Sequence, residues 1–460
     1  MTETSPFFSI RTSVMRLLLS FLLVASVSAA ANAQAAGGTL TLEQALEIAA
    51  KNNPTYQQAV LGRNRAQAQV RAAYGNFLPS ADGSFGLGFR EGRPQNFGGI
   101  NIGATSDILS SSWNLSARSA LSWNTFNQIK RANAALDAAD ADVEASRFGL
   151  RAQVTQQFLL ALQTQARAAF QDTLVAQQRL QLELAKARAG VGTLTSLDVK
   201  RAEVGLGQQE VAALRARNTA EVAKLQLFQQ LGVPMPAALT LLADLPMSAP
   251  SFTAADLLTT ARASNPALKA VQAREQVAVA GLRSARGEYT PTLSFSANVS
   301  AFTQKVVDLP ATATPGQIAE NRRYPFDFTR NPYSLNMGLS IPIFDGLGRE
   351  SRLQEANAAR EEAVYSVRRQ ELQLTADVTS AFVSLQAAYQ AADLQARTAA
   401  TAREALQLAE ERYRVGASTF VDLTTARAEY ERAETDRIDA VYEYHRAYAA
   451  LENAVGRTLR

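Results

Sequence analysis

Val191-Gly192-Thr193-Leu194-Thr195-Ser196-Leu197-Asp198 and Val415-Gly416-Ala417-Ser418-Thr419-Phe420-Val421-Asp422 are two readings of one phrase, 224 positions apart. Val, Gly, Thr and Asp recur at the same places, and the correspondence extends outward. At the same offset Val154, Phe158 and Gly232 fall on Val378, Phe382 and Gly456. At an offset of 212, Asn53, Pro54, Gly75 and Pro79 fall on Asn265, Pro266, Gly287 and Pro291, and at 218 Leu121 and Phe126 fall on Leu339 and Phe344. A period of about 200 residues is too long for a solenoid of small units. It describes one fold built twice, with two short insertions separating the copies. The boundaries read as repeat 1 over 34–233, a linker over 234–251 and repeat 2 over 252–460.

Around each quoted phrase lies helix. No proline occurs between Pro94 and Pro234, or after Pro342. Both windows are rich in Ala, Leu, Gln, Glu and Arg, the residues that lose least on entering a helix. One helix is expected over 128–189, a break at Ala189 to Thr193, and a returning helix over 196–231. Repeat 2 gives 349–413, a break at Val415 to Ser418, and 419–455. At about 1.5 Å per residue the longer members run roughly 90 Å, a length that belongs to coiled-coil packing. Their apolar stripe is narrow: Leu150, Val154, Phe158 and Leu162 in the first, Leu374, Val378, Phe382 and Leu385 in the second. Shorter leading helices are expected over 41–75 and 253–287, each bent or broken at an Asn-Pro.

Between leading and long helices the period changes from 3.6 to two. Phe85, Leu87 and Phe89 alternate with Ser84, Gly86 and Gly88; Leu335, Met337 and Leu339 alternate with Asn336, Gly338 and Ser340. Four such strands are expected, at about 80–90, 113–123, 292–302 and 333–344, joined in pairs by polar loops at 91–112 and 304–332. Each has one apolar and one polar face. A half-buried sheet in a soluble protein fits this pattern. So does a transmembrane β-strand, which needs about ten residues. Trp113, Trp123 and Tyr333 sit at expected strand ends, where an aromatic girdle would lie.

The beginning of the chain favours the membrane reading. Arg16, the apolar run Leu17 to Val27 and the small-residue ending Ala31-Asn32-Ala33 form a secretory signal over 1–33. There is no Cys, so neither a disulfide nor an acylated cysteine is expected and the chain is not lipidated. Four strands cannot close a barrel, and lipid tolerates no open sheet edge. Three chains would supply twelve strands.

With these elements in place, the chain resembles the TolC-like outer-membrane efflux protein family over essentially its whole mature length. The carriers are Leu42 to Ala49, Asn53-Pro54, Pro79, Pro342-Ile343-Phe344-Asp345-Gly346, Arg412 to Gly416 and the two quoted phrases. The resemblance implies a homotrimer in the bacterial outer membrane, with a twelve-stranded barrel, four strands per chain, continuous with a periplasmic α-helical coiled-coil barrel. It implies a passive conduit of a tripartite efflux or type I secretion system, working with a periplasmic adaptor and an inner-membrane pump of RND or ABC type. A periplasmic coiled-coil adaptor or scaffold without a barrel is the alternative. The resemblance further implies adaptor docking at the tips Gly192, Thr193, Leu194, Gly416, Ala417 and Ser418. It implies a periplasmic gate of Asp422, Asp198, Tyr413 and Arg414. Where the family places an Arg two residues after the second tip Gly, this chain has Ser418, with Arg414 as a replacement. Asp198 and Asp422 also read as simple helix N-terminal charges.

His445 is the only histidine and reads as a helix-surface residue; Glu410 reads as a surface partner of Arg414. No nucleophile or phosphate-loop motif occurs, no metal, cofactor or catalytic residue is expected, and a formal charge of +4 over 460 residues speaks against nucleic acid. Mass spectrometry of the exported protein should find its N-terminus at Gln34.

Overall fold

Helix and strand alternate in the order the two repeats require. In the computed structural model, which describes residues 38–192, 194–237, 239–309 and 313–459, repeat 1 opens with the short strand β1 (Gly38–Leu40). Then come α1 (Leu42–Asn52), α2 (Pro54–Gly75), β2 (Ser80–Arg90), β3 (Pro94–Phe97), β4 (Ile100–Ala104), β5 (Ile108–Ser122), α3 (Trp123–Gly190) and α4 (Ser196–Leu231). After β6 (Leu239–Leu241), repeat 2 follows: α5 (Ala254–Ser264), α6 (Pro266–Gly287), β7 (Thr292–Val306), α7 (Pro315–Arg323), β8 (Thr329–Arg330), β9 (Ser334–Ser340), α8 (Gly348–Arg414) and α9 (Phe420–Val455). The expected signal over 1–33 and the tip residue Thr193 lie outside the described residues.

The Asn-Pro pairs break both leading helices outright, and each Asn then does two jobs. Asn53 caps α2 by accepting from Tyr56 N at 3.1 Å, and its Nδ2 donates to Gln230 O at 2.8 Å. Asn265 accepts from Leu268 N at 3.0 Å and donates to Ala454 O at 2.9 Å. Each thereby ties the start of its repeat to the last turn of the same repeat, where Gly232 and Gly456 end α4 and α9 in the left-handed region (φ 74° and 79°). A Cβ on Gly232 would lie 2.5 Å from Asn52 O, so glycine is required there both by conformation and by space.

The apolar stripes form one core per repeat. Leu150, Val154 and Phe158 pack with Leu227, Leu231 and Leu241. Leu374, Val378 and Leu385 pack with Leu451, Val455 and Tyr444. At about 1.5 Å per residue the 68-residue α3 and the 67-residue α8 each run roughly 100 Å. In the wall they make, α3 packs on α2, α4, α6 and α9, and α8 packs on α6 and α9. Towards the α3–α4 and α8–α9 turns, α3 and α9 are therefore central, with α4 on one flank and α8 on the other.

The long strands form one antiparallel sheet in the order β2-β5-β7-β9, with the short β8 on β7 beyond β9. Pairing puts Ala81, Ala117, Ala297 and Leu335 in one row, and Asp82, Ser116, Asn298 and Ser334 in the next. One face is thus apolar and the other lined by Ser, Asn and Gly. Among the described residues no helix is long and apolar enough to cross a membrane, which says nothing of a barrel.

Three details differ from expectation. The second strand starts at Ile108, so Trp113 lies inside it, opposite Phe85 and Ala301, whereas Trp123 is the first residue of α3. The fourth strand stops at Ser340 because Pro342 has no N–H to donate, and Tyr333 precedes it. His445 is not on the surface: it is 3% exposed, with Nε2 3.2 Å from Leu245 O, because the 242–251 linker folds over this face of α9. Asn53→Ala should destabilise the protein by about 1–3 kcal/mol, since it removes a cap and leaves the Gln230 carbonyl unpaired; a lower midpoint in a thermal scan of helical circular dichroism checks this.

Candidate site at the helical hairpin tips

Both hairpins turn by the same device. Gly192 and Gly416 adopt φ 78°, a region where glycine is favoured, and Ala417 N closes the second turn on Arg412 O at 2.8 Å. Thr195 and Thr419 then cap the returning helices through reciprocal hydrogen bonds. Thr195 Oγ1 donates to Asp198 Oδ2 at 2.7 Å while accepting from Asp198 N. Thr419 Oγ1 donates to Asp422 Oδ2 at 2.7 Å, and Thr419 N donates to the same oxygen at 2.9 Å. The threonine-to-aspartate spacing that marks the duplication is therefore a capping box.

The caps hold both carboxyls below the ordinary range. For Asp198 the Thr195 side-chain hydrogen bond is the main cause; for Asp422 the Thr419 backbone bond leads and its hydroxyl follows. Each carboxylate keeps one oxygen free of its cap, and Arg201 stands 3.5 Å from that of Asp198.

The fold brings Asp198, Tyr413 and Arg414 to one end of the molecule. Asp198 lies within electrostatic reach of Tyr413, but among the described residues no hydrogen bond joins them. Burial raises the Tyr413 phenol, Arg188 pulls it back, and Asp198 adds to the rise. Across the hairpins Tyr413 meets Arg188, whose guanidinium carbon sits 5.6 Å from the ring centroid and whose Nη2 donates to Arg414 O at 3.5 Å. Nothing in the sequence pattern singled out Arg188. Arg414 meets the first hairpin through its carbonyl, which accepts from Arg188. The Ser418 hydroxyl is buried without a hydrogen-bond partner. Leu194 packs on Leu182, Ala185 and Ala202, while Gly192, Gly416 and Ala417 are exposed.

Glu410 does not pair with Arg414. It takes Arg427 at 3.2 Å, because α9 brings that guanidinium, 8% exposed, between the hairpins, where Nη1 also donates to Gln178 Oε1 at 3.2 Å. Arg427, Tyr413, Arg188, Leu184 and Leu423 line a cavity of about 390 Å³ between the two tips. A larger groove of about 1060 Å³ lies further along between α3, α6, α8 and α9. Among the described residues no group of three or more His, Asp or Glu is placed to hold a metal ion.

At the sheet, Trp113 and Trp123 are ten positions apart along one chain direction. Trp113 lies inside β5 and Trp123 opens α3, one residue past the end of that strand.

A family model described as outer membrane efflux protein matches residues 45–233 and 257–457. The pyoverdine export outer membrane protein OpmQ of Pseudomonas putida is 28% identical over 432 residues, which cover 90% of this chain and 85% of that protein. The solved CmeC outer membrane channel of Campylobacter jejuni superposes with a TM-score of 0.71 at 15% identity, covering 90% of this chain and 85% of CmeC. CusC, solved in a study of transmembrane channel formation, gives 0.72 at 16% identity, covering 94% and 96%. At these identities the structures establish likeness of fold.

Because the folded Asp422 carboxyl titrates below its unfolded value, its cap adds stability that is full above the unfolded pKa of about 3.9 and is lost as pH falls through the folded one. Asp422→Ala should therefore lower the thermal midpoint at pH 6, and the difference from the parent should shrink as pH falls through the folded pKa.

Proposed function

Since the chain belongs to the outer membrane efflux protein family, a family of channel and transport proteins rather than enzymes, we propose that it forms a homotrimeric conduit through the outer membrane and across the periplasm. The observation that carries this reading is the state of the sheet. Its apolar face is bare: Leu335, Met337 and Leu339 are exposed, Met337 by 72%. Its two outer strands, β2 and β9, each have one unpaired edge. A sheet whose exposed face is apolar and whose edges are open suits neither water nor lipid until it closes on copies of itself.

The helices carry the same message. Exposed Leu197, Val204 and Val211 recur every seven residues on α4, and exposed Leu394 and Leu408 lie on α8, with exposed Val415 one residue past its end. The seven-residue spacing is that of a coiled-coil seam. Because α4 and β2 lie on one flank and α8 and β9 on the other, the contact is head to tail and closes a ring. Three chains give twelve strands, and the polar faces of Ser, Asn and Gly then surround a water-filled lumen.

In this arrangement the hairpin tips lie at the periplasmic end. Gly192 to Leu194 and Gly416 to Ser418 meet a periplasmic adaptor. Asp198, Asp422, Tyr413 and Arg414 surround the entrance, joined by Arg188. Trp113, Trp123 and Tyr333 face the lipid boundaries. The energy comes from an inner-membrane pump of RND or ABC type, and the cargo is whatever that pump selects, small molecule or secreted protein.

Neighbouring residues on opposite faces provide the test. Met337→Arg places a charge in lipid at a cost of about 2–4 kcal/mol near the bilayer midplane. It should abolish heat-resistant trimer on gels and efflux in a strain lacking the parent gene. Asn336→Arg, on the lumen face, should leave the trimer intact and alter single-channel conductance in planar bilayers. A soluble scaffold would tolerate both changes alike, since Met337 is already exposed.

A further inference from the structure

The strand register fixes which charges stand on the apolar face of the sheet, because residues paired directly across neighbouring strands point to the same side. On that side the rows run from Leu121–Leu293–Leu339, beside the long helices, to Phe85–Trp113–Ala301. There the face changes character. Arg330 of β8 lies opposite Ala301, in the Trp113 row. Ser111 and Thr303 make the next row, and Lys305, opposite Leu109, stands in the one after. A cation facing lipid is costly in the middle of the hydrocarbon and nearly free at its boundary. Arg330 and Lys305 therefore mark where the apolar band ends. All the long helices join the sheet at its other end, so this boundary belongs to the outer leaflet.

The β7–β9 loop brings further positive charge to the same level. Asn321 pins α7 to the end of β7: its Nδ2 donates to Val306 O and its Oδ1 accepts from Val306 N, both at 2.8 Å. Past α7 the chain folds back over the apolar face. Phe326 stacks on Phe85 with ring centroids 6.5 Å apart, and Phe328 meets the same ring edge-on at 6.4 Å. The loop thus rests on the side of the sheet that faces lipid.

Arg322 and Arg323 close α7. Arg323 is engaged within the loop, 3.9 Å from Asp327 and donating to Thr329 Oγ1 at 3.0 Å. Lys305, Arg322 and Arg330 are exposed, and among the described residues none of them forms an ion pair. The other acids of the loop, Asp308 and Glu320, pair with none of the three. These cations call for anions from outside the chain, held at the level of the lipid headgroups.

From this placement we infer that Lys305, Arg322 and Arg330 bind the phosphates of the phosphorylated glycolipid of the outer leaflet, one site per subunit. Guanidinium groups match pairs of phosphate oxygens, and the apolar stem of Lys305 lies along the wall while its ammonium reaches the headgroups. Phe326, 70% exposed beside Phe85, is left for the acyl chains. The inference rests on reading the sheet as part of a trimeric barrel whose apolar face meets lipid.

Binding to purified trimer in neutral detergent is the test. The probe is bisphosphorylated lipid A with a fluorescent acyl chain; dephosphorylated lipid A and inorganic phosphate are the comparison ligands. The parent should prefer the bisphosphorylated form by about tenfold or more. Lys305→Gln/Arg322→Gln/Arg330→Gln should weaken binding by about a hundredfold, about fivefold for each cation near a membrane surface. Arg90 stands at nearly the same height as Lys305 but on the polar face, opposite Ile108, so Arg90→Gln should bind like the parent. Parent-like binding by the triple variant, or an equal loss in Arg90→Gln, would overturn the inference. So would equal affinity for dephosphorylated lipid A, or complete displacement by inorganic phosphate at the concentration of the lipid, which would make the ligand a free anion. A salt series on the parent needs no variant and is immune to folding defects. Its binding should fall steeply from about 0.05 to about 0.5 M NaCl, and insensitivity over that range would again overturn the inference. A parent that runs only as monomer on unheated gels would instead remove the barrel reading, and the lipid site with it.

Discussion

The unpaired backbone along β2 and β9 is the constraint on which the rest of the structure depends. Each N–H and C=O left without a partner in hydrocarbon costs several kcal/mol, and four strands offer two such edges. No side-chain arrangement within the chain relieves this; only a second strand can. The apolar face of Phe85, Leu115 and Met337 makes lipid the natural surroundings of the sheet, and lipid makes closure obligatory. Helices of roughly 100 Å follow naturally, because a wall that is one helix thick has little core of its own and must be held laterally by its neighbours.

Within each repeat stability is concentrated at one level. Asn53 and Asn265 bind the start of their repeats to the closing turns at Gly232 and Gly456. The larger apolar clusters sit alongside them. Towards the tips the packing thins to Leu182, Ala185 and Ala202, and polar contacts take over. Both turns there are closed by the same threonine–aspartate capping box.

Much of the fold could be read from the chain because its signals are local. Proline-free windows, the switch from helical to two-residue period, and the Asn-Pro breaks each act over a few residues. The site was read less well. Asp198 and Asp422 stand in a repeated motif and Tyr413 came with the family resemblance, but their partners were not read. Arg188, Gln178 and Arg427 carry no motif, and the expected Glu410–Arg414 pair is a four-residue spacing that looks sufficient on paper. His445 was misplaced for the same reason: a polar residue on a long helix resembles a surface residue until the linker that covers it is known.

By itself, then, the sequence pointed to two copies of one unit, the strand faces, the approximate lengths of the long helices and the position of the hairpin turns, since all of these arise from propensity and periodicity along the chain. Tertiary structure decided which residues meet across a seam. Arg427 and Gln178 are 249 positions apart, and Arg188 and Tyr413 are 225 apart, so their contact depends on the rotational phase of two long helices at their crossing. A few degrees of phase per turn, accumulated along roughly 100 Å, would select different partners, and no local pattern records that sum.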